Sequence, residues 1–267
     1  MPKSDDRPIG VFDSGVGGLS ILIELKKLLP HENFVFLADQ KYVPYGEKTK
    51  KELVNLCVNI TDYFVKKYDI KMMVVACNTA TCYSIKELRQ KFKIPIVGTE
   101  PAVKPAAQNT RTGVIGIIST PATSKSKTIK RLITDFTHGT EVINIGCQNL
   151  ENVVEEGDLS SSKVKALLDK YLSEIKNSKA DRLVLGCTHY PFLRETIQKR
   201  VGGKVKLIDS GKAIAKHTKF LVIKNRFKNK QAGRGKTTYF TTGNAQRFSK
   251  VASKLLGAKV VAFQAKL

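Results

Sequence analysis

The chain has 267 residues, 42% of them apolar, enough for a sizeable core in one or two domains. No apolar run approaches the roughly 18 residues of a membrane span, and the charged start is unlike a signal sequence, so a cytoplasmic protein without membrane contact is expected. Lys and Arg number 46 against 23 Asp and Glu, a net charge of +23 that attracts anions.

That basic bias peaks between Arg194 and Lys236, where Glu195 and Asp209 are the only acids. No alternation of aromatic and basic residues marks a stacking platform there. A solvated surface is expected, with nucleic-acid binding weak and salt-sensitive at most. The cysteines are Cys57, Cys77, Cys82, Cys147 and Cys187. An odd set without CxxC makes a poor disulfide framework and a poor zinc site, so reduced thiols and no metal are expected.

In chain order, Ile9–Phe12 reads as a short strand running into Asp13-Ser14-Gly15-Val16-Gly17-Gly18. Leu19–Leu29 then shows helical spacing, stopped by Pro30. A glycine-rich turn opening a helix brings backbone N–H groups close to an anion. Ser20 stands where GxGxxG needs its third glycine, and no Gly-Lys-Ser/Thr follows, so a dinucleotide site has little support. Asp13 would repel phosphate and better suits an ammonium group or a proton relay.

Phe34–Ala38 is a second strand ending at Asp39, followed by a loop with Val43-Pro44-Tyr45-Gly46 and a helix from about Thr49 to Tyr68. The apolar run Met72–Val75 reads as a buried parallel strand and ends in Ala76-Cys77-Asn78-Thr79-Ala80-Thr81. A helix near Tyr83–Phe92 and a strand at Ile94–Val97 complete this half.

After Gly98-Thr99-Glu100-Pro101 the pattern begins again. Gly113–Ile118 and Glu141–Ile145 are strands, the first ending in Ser119-Thr120-Pro121 and a basic helix. Asn149–Glu156 is a helical turn, Val164–Ile175 an amphipathic helix, and Leu183-Val184-Leu185 a strand ending in Gly186-Cys187-Thr188-His189-Tyr190-Pro191. A helix through Arg200 and a strand at Val205–Ile208 follow. Both halves share one order: strand, strand, helix, cysteine strand, helix, strand. Internal duplication is the economical explanation. From Gly211 the chain offers a helix, a strand at Thr237–Thr242 and a final helix near Ala245–Leu256. Alternating strands and helices predict an α/β fold with largely parallel sheets.

Ligands in open α/β sheets bind at the carboxyl ends of strands. Two cysteines presented there by two similar halves therefore suggest one site with thiols on two sides. A thiol with a free pKa of about 8.5 needs help to work as a thiolate. His189 shares the loop of Cys187, and Asp13 is its counterpart by position in the first half. Ser14, Asn78, Thr79, Thr188 and the loop amides are neutral donors suited to a carboxylate. Each alone is also a common strand-end or helix cap. His31, His138 and His217 lack such company and read as structural or surface residues.

The segments Ile9–Ser20, Val43–Gly46, Ala76–Thr81, Gly98–Ala107, Glu155-Glu156-Gly157 and Leu185–Leu193 together resemble the glutamate racemases. These are cofactor-independent enzymes, of the aspartate/glutamate racemase superfamily, that supply D-glutamate for peptidoglycan. The resemblance implies two pseudo-symmetric α/β domains, 1–99 with 211–267 and 100–210, with the active site in the cleft between them. It implies that Cys77 and Cys187 exchange a proton with the substrate. By motif match, Asp13, Ser14, Tyr45, Gly46, Asn78, Thr79, Thr188 and His189 hold substrate or tune the thiols, while Asp39 and Glu155 fall at assisting acidic positions. A homodimer is also expected. One departure stands out: the family has a Cys-Pro and apolar residues before Glu-Glu-Gly, where this chain has Gly146-Cys147-Gln148-Asn149-Leu150-Glu151-Asn152.

Two bases suit the inversion of a stereocentre, since a proton leaves one face and another arrives at the opposite face. The expected reaction is interconversion of L- and D-glutamate without a cofactor. A sister racemase acting on aspartate or another amino acid would carry the same cysteines. A pyridoxal-phosphate racemase would need a Schiff-base lysine with a phosphate cradle, which no motif supplies. A basic anion- or nucleic-acid-binding protein would explain the charge but not the duplicated cysteine strands.

Overall fold

The computed structural model describes residues 4–267. β1 (Ile9–Asp13) passes through a turn into α1 (Leu19–Leu28), followed by β2 (Phe34–Ala38), α2 (Lys50–Tyr68) and β3 (Met72–Val75). Every residue of these three strands is buried, because helices cover both faces of their sheet. α2 is fixed at its start by a capping box between Thr49 and Glu52, and it turns Leu53, Cys57, Ile60 and Phe64 inward at helical spacing.

α3 (Asn78–Lys91) begins directly after Cys77, five residues earlier than its sequence pattern suggests. The cap explains the difference. The Cys77 sulfur accepts the Ala80 N–H at 3.4 Å, a role that oxygen side chains usually fill. The β-branched Thr79 and Thr81 blur the helical signal further. β4 (Ile96–Gly98) ends the first half.

α4 (Val103–Asn109) was not apparent in the sequence, since Pro105 falls within it. Proline is tolerated there because the first-turn N–H groups have no partner inside the helix. Then come β5 (Val114–Ser119), α5 (Pro121–Lys125), α6 (Lys127–Phe136), β6 (Glu141–Gly146), α7 (Leu150–Glu155), α8 (Ser162–Asn177), β7 (Arg182–Leu185), α9 (Arg194–Val201) and β8 (Lys206–Ile208). The chain closes with α10 (Gly211–Lys224), β9 (Thr237–Thr241), α11 (Ala245–Leu256) and β10 (Ala262–Gln264), a short edge strand that the sequence did not announce.

All strand pairs are parallel. One sheet has the order β10-β9-β2-β1-β3-β4 and the other β6-β5-β7-β8. The run 2-1-3-4 of the first recurs as 6-5-7-8 in the second, so the duplication read from the sequence is present in the topology. β3 and β7, the two cysteine strands, are therefore equivalent. β9 and β10 extend the first sheet only. The start of the chain and the connection after α10 are also tied there by Lys71, whose buried ammonium lies 2.5 Å from Glu32 and donates to the carbonyls of Asp5 and Phe227 at 2.7 and 2.8 Å. Losing one partner of such a buried pair costs about 3–5 kcal/mol.

The basic segment lies on the outside as expected: each lysine from Lys199 to Lys236 is exposed.

Candidate active site

The carboxyl ends of the two sheets face each other. Cys77 follows β3 after Ala76, and Cys187 follows β7 after Gly186. Both thiols are free and buried, and both line one cavity. Ser14, Tyr45, Gly46, Asn78, Thr79, Thr188 and His189 share its wall. Its volume is about 10 Å³, room for about one water molecule.

Cys77 has weak support as an anion. Besides the Ala80 amide, the Ser14 hydroxyl lies 3.8 Å from its sulfur. Burial, and then the charge of Asp13, push its pKa well above the usual thiol range.

Cys187 is better served. Its sulfur is 3.6 Å from His189 Nδ1, and His189 Nε2 is 2.7 Å from Glu155 Oε1. Glu155 also accepts the Val16 N–H and the Gln40 amide, each at 2.6 Å. Burial alone would raise the Glu155 carboxyl, but His189 and the other donors hold it below the usual range. Burial likewise disfavours the imidazolium, yet Cys187 and Glu155 hold it well above the ordinary histidine range. His189 thus bridges the Cys187 sulfur and the Glu155 carboxylate through its two ring nitrogens. Burial raises the Cys187 pKa, and His189 offsets part of that rise.

Asp13 and Glu155 do not line the cavity; each stands one layer behind it. Asp13 is fully buried and accepts from Ser14 Oγ and Gly15 N at 2.9 Å and from Thr188 Oγ1 at 2.7 Å. Burial raises its pKa, against the lowering effect of His189 and these donors. Asp39 also lies behind the wall, taking the Tyr45 hydroxyl at 2.6 Å and that of Thr242 at 2.7 Å. It holds Tyr45 in place from outside the cavity.

These contacts cross between the halves. Asp13 reaches Thr188, Glu155 reaches Val16 and Gln40, Ser20 donates to the Thr188 carbonyl, and Thr79 meets Thr120 at 3.0 Å.

Residues 24–218 match the sequence model of the Asp/Glu/hydantoin racemase family. The chain belongs to this family. It is 41% identical over 246 residues to a glutamate racemase of Herpetosiphon aurantiacus, covering 92% of this chain and 96% of that one. The fold matches a glutamate racemase isoform from Bacillus anthracis with a TM-score of 0.89 at 29% identity, covering 100% of this chain and 99% of that one. It also matches a Francisella tularensis glutamate racemase in complex with D-glutamate, with a TM-score of 0.85 at 28% identity over 98% of each chain.

In this member of the racemase family the glycine-rich turn after β1 receives an anion, as its pattern suggests, but the anion is the protein's own. Val16 N–H donates to Glu155, and a Cβ on Gly15 would overlap that carboxylate. A Cβ on Gly17 would overlap the His189 imidazole. These glycines make room for the Glu155–His189 pair.

Sequence reasoning did not single out Thr120, Glu151 or Gln40. Thr120 and Glu151 line the cavity, and Gln40 holds Glu155. Thr120 could have been found from the repeat, since it follows β5 as Ser14 follows β1. Glu151 is a carboxylate in the run that departs from the family pattern. A larger cavity of about 690 Å³ lies at the opposite strand ends, near Phe34 and Thr237. Neither thiol nor imidazole borders it.

Proposed function

We propose that the chain interconverts L- and D-glutamate by proton transfer between the substrate and two opposed thiols. The observation that carries this reading is the shared cavity: Cys77 and Cys187, delivered by equivalent strands of two equivalent sheets, line it from opposite halves of the molecule. A thiolate on one side removes the α-proton while the thiol on the other supplies one, and the roles exchange in the reverse direction. Glutamate as substrate is supported by the named relatives and by the D-glutamate complex of the Francisella protein. The α-proton is very weakly acidic, so the carbanion needs donors at its carboxylate and exclusion of water. Ser14, Asn78, Thr79 and Thr188 are the side-chain donors in this reading. Asp13, His189 and Glu155 tune and position the thiols.

The cavity of about 10 Å³ is far smaller than glutamate, so admission requires the halves to part. In our reading 1–99 with 211–267 moves against 100–210, breaking the cross-half contacts of Asp13, Glu155 and Thr79. D-glutamate made in this way would feed peptidoglycan synthesis in the cytoplasm. Among the described residues no helix is long and apolar enough to cross a membrane. A homodimer belongs to the same reading, and the exposed Phe220 and Ile223 on α10 are apolar surface a second copy would cover.

The deciding experiment incubates the purified protein with L- or D-glutamate in D2O without added cofactor. Formation of the opposite enantiomer carrying solvent deuterium at Cα is expected. Racemisation of aspartate with glutamate untouched would overturn the substrate assignment, and no racemisation would overturn the reaction.

A further inference from the structure

Glu151 lies in the first turn of α7 and lines the same cavity as the two thiols. It is only 6% exposed, and its Oε2 has no hydrogen-bond partner among the described residues. Leaving a buried carboxyl oxygen unsatisfied is costly. The two acids behind the wall differ in this respect: Asp13 accepts from three donors, and both oxygens of Glu155 are engaged. Glu151 is the carboxyl group on the cavity wall, and its free bonding capacity is left for what enters.

We propose that Glu151 meets the substrate as a neutral carboxylic acid and donates its proton in a hydrogen bond to a carboxylate of glutamate. This rests on the glutamate reading above and adds to it a residue that selects for an anionic substrate.

The charges around Glu151 favour the neutral form. Facing it are Glu155 on its own helix, Cys147 before it, Cys187 and His189 after β7, Tyr190 beyond them, and Glu47 after Gly46. Burial raises its pKa most, Glu47 and Glu155 raise it further, and His189 opposes them. His189 is the one basic side chain of this group and is already shared by Glu155 and Cys187. An ionised Glu151 would oppose the neighbouring Cys187 thiolate and repel a dicarboxylate. Protonated, it does neither, and it offers the donor that an incoming carboxylate lacks.

The test compares wild type, Glu151→Gln and Glu151→Val in glutamate racemisation across pH, with melting curves confirming that each variant folds. Glutamine keeps a donor but cannot ionise, so at a pH below the raised Glu151 pKa its KM should stay within about threefold of wild type. Valine removes one hydrogen bond to a charged group, so KM should rise about tenfold or more, with kcat changing less. The neutral form dominates below the raised pKa. Wild-type KM should therefore climb as pH passes through that pKa, and the Gln variant should lack this climb. Gln raising KM as much as Val would mean that an ionised Glu151 binds the substrate ammonium, and would overturn the proposal. So would an unchanged KM in Val, or identical KM–pH curves for wild type and Gln; the latter comparison decides if Val fails to fold. A wild type that does not racemise glutamate would instead remove the functional reading itself.

Discussion

Cys77 and Cys187 occupy equivalent places in a duplicated fold, yet their surroundings as anions differ. Cys77 has a distant hydroxyl, a helix amide and a neighbouring carboxylate that works against it. Cys187 has an imidazole that is anchored by Glu155 and whose pKa is raised by both of these neighbours, against the effect of burial. The duplicated strands thus supply the opposed geometry, while the loops that follow supply unequal acidity. Burial raises both thiols, and a neighbouring imidazole offsets that rise at Cys187 alone. Because L- and D-glutamate are equal in free energy, this inequality cannot favour one direction in kcat/KM. It shows in pH dependence and in the reactivity of each thiol.

The largest effect should come from removing either thiol. Cys77→Ser and Cys187→Ser should each lower racemisation by orders of magnitude, because a hydroxyl is a far weaker acid than a thiol. Racemisation near wild type in either variant would break the comparison by making one cysteine dispensable.

His189→Asn should come next, with a loss of about 100-fold or more. It removes the group that lowers the Cys187 pKa, so the thiolate forms only at higher pH and the optimum should move upward. A loss of rate with an unmoved optimum would mean that His189 does not set the thiol's acidity. Gly17→Ala should act through the same histidine, since a Cβ there would overlap the imidazole. We expect a loss of about tenfold and a smaller upward shift of the optimum, read from the same pH profile. The mildest change is Ser14→Ala on the Cys77 side. It deletes the 3.8 Å contact to the thiol, the 2.9 Å hydrogen bond to Asp13 and one of several substrate donors, all neutral, and a loss of about tenfold or less is expected. A loss as large as that of His189→Asn would show the two sides to be more alike than their contacts suggest.

Much of this was legible in the sequence because it depends on local pattern. Apolar runs such as Met72–Val75 marked the strands, and their repetition marked the halves. The cysteines stood out because each ends such a run. The start of α3 was not legible, since a sulfur caps it, and neither was the short edge strand β10. Within the site, the residues missed were those whose role depends on the other half. Gln40 matters only because Glu155 arrives from across the cleft, and Thr120 because it meets Thr79 there. Gly15 and Gly17 marked a turn that brings N–H groups close to an anion, and only the packed structure shows the carboxylate and imidazole that fill the space. Periodicity reports what a segment buries, not which distant side chain it will meet.

The central claim, one thiol for each face of the substrate, is tested most directly by elimination from a glutamate analogue with a good β-leaving group. Elimination needs a proton removed but none returned, so a single remaining thiol suffices. Cys77→Ser and Cys187→Ser should therefore still eliminate, and with opposite enantiomer preferences. The family resemblance assigns L to the variant that keeps Cys187 and D to the one that keeps Cys77. The same enantiomer preferred by both variants would contradict the claim.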